Sequence, residues 1–108
     1  MKITNLSAEI ATISGTYSDS VELPDGKKGS IQFQFEFDKN HYNTYISTGT
    51  LSAGNAEVTF SRISRLSMTR RGNLPEDWDI SEIIYEAIFK MQEKLKSAEF
   101  DVKIITSA

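Results

Sequence analysis

Residues 78–100, WDISEIIYEAIFKMQEKLKSAEF, decide the fold. Ile80, Ile83, Ile84, Ala87, Ile88, Met91 and Leu95 recur at steps of three and four, the period of one buried helical face and not of a strand. Asp79 stands where a helix N-cap belongs, with Glu82 three residues on, and Trp78 before the cap is placed to pack on Ile83 as a hydrophobic staple. Acids (Asp79, Glu82, Glu86) come early and lysines (Lys90, Lys94, Lys96) late, the order that the helix dipole favours. No glycine or proline interrupts the run. The spacing therefore predicts one long amphipathic helix whose apolar stripe needs a surface to cover. Tyr85 and Phe89 lie one step round from that stripe, so this flank either widens the buried arc or meets a partner or a second copy of the chain.

The surface to be covered is legible upstream. Residues 30–38, SIQFQFEFD, alternate Ile31, Phe33, Phe35 and Phe37 with Gln32, Gln34, Glu36 and Asp38, a strand with one dry and one wet face. A turn over 38–41 leads into 42–51, whose Tyr, Thr and Ile content suits a second strand of a hairpin. A further strand is expected over 57–68 after the turn at 52–55. In it Val58, Phe60, Leu66 and Met68 share a parity that Ile63 and Arg65 break, and a β-bulge near 62–64 would reconcile the pattern. Residues 69–77 read as a loop, and Phe100, Val102 and Ile104 as a last strand. Residues 18–29, SDSVELPDGKKG, read as an exposed, mobile connection turning at Pro24, Asp25 and Gly26. Residues 1–17 are divided between two periods. Their threonines and serines favour a strand over 7–17, with a helix ended by Gly15 as the rival.

Strands, one long helix and a strand make an α+β domain of two layers: an antiparallel sheet of about four to five strands with the helix across one face. The order resembles, in topology alone, small chaperone-like and inhibitor domains that present a sheet or helix face to another protein. At 108 residues the chain suits a single domain, able to bury roughly 60 to 70% of the surface that its unfolded form exposes. Cysteine is absent, which excludes disulfides and thiolate chemistry and agrees with a cytoplasmic location. No stretch approaches the roughly 20 apolar residues of a membrane span, so no membrane is expected.

The catalytic inventory is thin. His41 is the single histidine and falls in a hairpin turn, where an exposed turn residue is the simpler reading than a general base or ligand. No serine sits in a nucleophile-elbow pattern. Glu76, Asp77, Asp79 and Glu82 cluster, but without the alternation of a calcium loop, and helix-entry electrostatics accounts for them. The glycines of PDGKKGS lack phosphate-loop spacing. The expectation is a protein that is not an enzyme, with no cofactor and no metal.

Arginine is the anomaly. Arg62, Arg65, Arg70 and Arg71 are the only four in the chain and fall within ten residues that hold no acid, so this window carries +4 and the rest of the chain −7. Clustered guanidinium groups suit phosphates or a carboxylate-rich protein surface, and Tyr42 and Tyr45 on a neighbouring strand would add stacking surface for single-stranded nucleic acid. The competing explanation is internal pairing, since Glu76, Asp77, Glu82 and Glu86 follow closely, or plain solvation of the arginines. An overall charge of −3 argues against a surface that attracts nucleic acid as a whole. The sequence thus leads to a small protein-binding module, an accessory or inhibitory protein of the kind that viruses and other mobile elements encode. Its partner is an unidentified, acidic protein. The alternative is a nucleic-acid-binding accessory protein that uses the arginine segment.

Overall fold

The computed structural model describes residues 1–97. Six strands, β1 (Lys2–Ala8), β2 (Thr12–Glu22), β3 (Lys28–Asp38), β4 (Asn43–Ala53), β5 (Ala56–Arg62) and β6 (Leu66–Arg71), form one antiparallel sheet in which each strand pairs with its sequence neighbours. The helix α1 (Ile80–Ser97) lies on one side, against β2, β3 and β4. This is the α+β architecture of sheet and single covering helix, with six strands where four to five were expected. The proposed last strand at 100–104 falls outside the described residues.

Register explains the core. Ile13, Tyr17, Ile31, Phe33, Phe35 and Phe37 face the helix from β2 and β3, and Ile46, Leu51, Val58 and Phe60 do so from β4 and β5. They meet Ile80, Ile84, Ala87, Ile88, Met91 and Leu95, the helical stripe read from the sequence. Phe33 is the centre: Tyr17 stacks on it with ring centroids 5.0 Å apart, and Phe35 and Phe60 meet it edge-on at 6.4 and 6.1 Å. Phe33 stands opposite Gly49, where a Cβ would lie 2.4 Å from the ring of Phe60, so this position is kept empty for aromatic packing. The Tyr17 hydroxyl donates to Asp19 at 2.9 Å, and burial, reinforced by that carboxylate, pushes its ionisation well above the usual tyrosine range.

The helix starts as its sequence dictates. Asp79 accepts hydrogen bonds from the Ser81 hydroxyl at 2.7 Å and from the Glu82 amide at 3.1 Å. These bonds hold its carboxyl below the ordinary aspartate value. Trp78 and Ile83 are both partly buried against the core.

Three expectations change. The single strand over 7–17 is a hairpin, β1 and β2, turning at residues 9–11 with Ile10 fully exposed at its tip. The connection over 18–29 is mostly strand, because β2 runs to Glu22 and β3 begins at Lys28. Only a tight turn is left between them, closed by bonds between Leu23 and Lys27 and relaxed by Gly26 at φ 85°. The strand over 57–68 is two strands, β5 and β6, the parity break at Ile63 is the turn between them, and β6 runs on to Arg71, so residues 69–71 are paired strand and not loop. The bulge lies in β4, which carries an extra residue near Ser47 against both β3 and β5.

Candidate functional site

Two groups of residues that the sequence kept apart, the aromatic flank of the helix and the first arginine, meet in one groove. The helix period places Tyr85 and Phe89 on the edge of α1 that overhangs the start of β4 and the end of β5. Tyr42, Asn43 and Arg62 form the other wall of an open groove of about 570 Å³. Phe89 is 59% exposed, Tyr85 43% and Tyr42 42%. Three large rings thus border one depression without being covered.

Arg62 is the charged part of that wall. Its Nη1 donates to the main-chain oxygen of Thr44 at 2.6 Å and to Asn43 Oδ1 at 3.1 Å, and its guanidinium carbon lies 5.9 Å from the centre of the Tyr85 ring. Its Nε is buried without a hydrogen-bond partner. Below it the Gln92 amide donates to the Thr44 hydroxyl at 2.8 Å, which ties helix to sheet. Tyr42 is fixed from two sides despite a left-handed backbone at φ 52°. Its ring meets Phe37 edge-on at 5.3 Å, and its hydroxyl donates to Glu93 at 3.1 Å. Desolvation, then the Glu93 carboxylate, raises its ionisation above the ordinary tyrosine value. Glu82 and Glu86 line the rim, with Lys90 beside them, so the groove holds charges of both signs.

The remaining candidates are distributed elsewhere. Tyr45 lies on the open side of the sheet, against a separate depression with Ser47 and Ile63, and is linked to the groove only through Asn43, whose Nδ2 donates to its hydroxyl at 3.2 Å. Tyr42 and Tyr45 therefore do not build one stacking platform. Arg65 stands exposed in the turn after β5. Arg70 projects on the helix side of β6 opposite Val58, and Arg71 on the open side opposite Glu57, 3.4 Å away in an exposed ion pair. The acids expected to neutralise the cluster do not reach it: among the described residues Arg62, Arg65 and Arg70 make no ion pair, and Arg71 uses Glu57. Glu57 precedes the arginines in sequence, and only the β5–β6 register brings it level with Arg71.

His41 sits in the β3–β4 turn, largely exposed, with Nδ1 2.8 Å from Asp38 Oδ2. That contact, with amide bonds from Asn40 and His41, holds the Asp38 carboxyl below the ordinary value and makes the pair a turn clip. Among the described residues no three His, Cys, Asp or Glu side chains gather as a cation site would need, and no helix is long and apolar enough to cross a membrane. Of Asn43, Thr44 and Gln92, which organise the groove, only Thr44 carried a sequence signal, a polar residue at a core-parity position of a strand. No family model, curated protein or solved structure matches the chain.

Proposed function

We propose that the chain is a non-enzymatic protein-binding module whose partner packs on the groove bordered by Tyr42, Arg62, Tyr85 and Phe89. The observation that carries this reading is the meeting of three incompletely covered aromatic rings with a hydrogen-bonded arginine in one depression. Aromatic residues and arginine are the types that dominate the energy of protein interfaces. Tyr42, already held by Phe37 and Glu93, loses little conformational freedom when covered. An accessory or inhibitory role follows from the same mode of action, occupation of another protein's surface, and asks for no reacting group. The nucleic-acid reading is the weaker one, because Tyr45 stands on the opposite side of the sheet from the groove.

Site-specific photocrosslinking tests the proposal. A benzophenone amino acid at position 89, and separately at position 59 on the open side, is irradiated in extracts of the source cells with and without nuclease. The expected result is a discrete protein adduct from position 89 that survives nuclease and is missing from position 59. No adduct, a nuclease-sensitive one, or the same adduct from both positions overturns it.

A further inference from the structure

The two edges of the sheet are built differently. On β1 the register against β2 shifts between Thr4 and Ser7, and Asn5 adopts φ 55°. Such an irregularity breaks the outward row of amides and carbonyls and guards an edge against strand addition. β6 has no such guard. It pairs with β5 residue for residue, from Glu57 opposite Arg71 to Arg62 opposite Leu66, and contains neither proline nor a left-handed residue. Among the described residues no strand lies on its outer side. A regular antiparallel strand with one neighbour leaves alternate main-chain donors and acceptors pointing outward.

Charge then selects what can pair there. Arg70 and Arg71 project to the two sides of this edge, Arg65 stands at its entry, and residues 58–75 contain no acid. Glu57 offsets Arg71 alone, through an exposed contact. A second copy of β6 would bring arginines and no acid to this edge, so self-pairing leaves Arg70 and Arg71 without an opposite charge.

We propose that the outer edge of β6 takes up an extended segment of an acidic partner protein as an added strand, with two consecutive acidic side chains, one on each side of the sheet, facing Arg70 and Arg71. Main-chain bonds hold the segment whatever its sequence, and the arginines choose an acidic one. The edge is a different surface from the groove, and this inference stands whether or not a partner covers Phe89.

The test uses the full chain and a fluorescein-labelled peptide of threonine and valine with a central Glu-Glu pair, followed by anisotropy. Saturable binding is expected. Affinity should fall about tenfold when the pair is Lys-Lys, or when the protein carries Arg70→Glu with Arg71→Glu. N-methylation of alternate peptide amides should abolish binding at unchanged charge. Failure to saturate, equal binding of the Lys-Lys peptide, or undiminished binding of the N-methylated peptide overturns the proposal. So does self-association of the chain that the peptide reverses, since a second copy then holds the edge. The peptide variants are read on the unaltered chain, so the result does not depend on the double variant folding. Phe89→Ser should bind the peptide as the parent does, which separates this result from the fate of the groove.

Discussion

The side-chain amide of Gln92 donates to the hydroxyl of Thr44 at 2.8 Å, joining the middle of α1 to the first turn-proximal residues of β4. Thr44 is the one polar side chain buried among the described residues, and its main-chain oxygen is also the acceptor for Arg62. Helix, β4 and β5 are thus tied at a single residue, and the groove is built around that knot.

Thr44→Val keeps the shape and removes the acceptor. Gln92 is only half-buried and can turn toward water, so the cost should be about 1 kcal/mol in urea unfolding. Adding Gln92→Leu should cost less than the two single losses together, since the bond between the two side chains is already gone. Additive losses in the double variant would show that the two side chains do not act as a pair.

Gly49→Ala should destabilise the chain by about 1 to 3 kcal/mol, because the new methyl meets rigid neighbours. Its Cβ would come within 2.4 Å of the Phe60 ring and 2.9 Å of Phe33 Cβ. Pairing it with Phe60→Leu, which trims the ring, should cost less than the two separate losses together. Chemical denaturation of the four proteins checks this.

Asp79→Ala removes the helix cap and should lower Tm by about 4 to 8 °C at neutral pH. The Ser81 hydroxyl and Glu82 amide depress the folded-state pKa of Asp79 below that of the unfolded chain. Its contribution is therefore complete above the unfolded value of about 3.9 and is lost as pH falls through the folded one. Melting curves should show the gap between parent and variant closing in strong acid. A gap that stays constant would mean that the charge on Asp79 is immaterial to the cap.

Phe89→Ser should leave unfolding within about 0.5 kcal/mol of the parent, since the ring is largely exposed. The same change should abolish the partner adduct expected at this surface when the crosslinker is moved to position 85. Loss of stability instead would make Phe89 part of the core.

The helix and the aromatic strand were legible because each has one period and ordinary punctuation: Asp79 at the cap, and the alternation of Phe33, Phe35 and Phe37. Two turns were not. Residues 9–11 are Glu-Ile-Ala and residues 63–65 are Ile-Ser-Arg, with no glycine, proline, asparagine or aspartate to signal reversal. In each an isoleucine that reads as strand stands in water at the tip, Ile10 at 101% and Ile63 at 63% exposure. Missing these turns merged four strands into two. Pro24 and Gly26 signal the turn at 23–27, but the serine, glycine and lysine residues beside it suit a loop as well as a strand, and only the register carries the ladder through them. For the site, residue types were visible and their grouping was not. Arg62 and Phe89 are far apart in sequence, and only the seating of α1 over β4 brings them to one groove.

The strand order, in which every neighbour in space is a neighbour along the chain, also sets how the molecule must be made. Each hairpin can close as soon as its second strand is available, so the sheet asks for little long-range search and should fold fast for a β-rich protein. Its covering layer is α1, which comes after all six strands. During synthesis the wall of Phe33, Phe35, Phe37 and Phe60 therefore stands bare until the helix has left the ribosome. That interval, more than the finished state, is when the chain is open to aggregation or to capture by a chaperone.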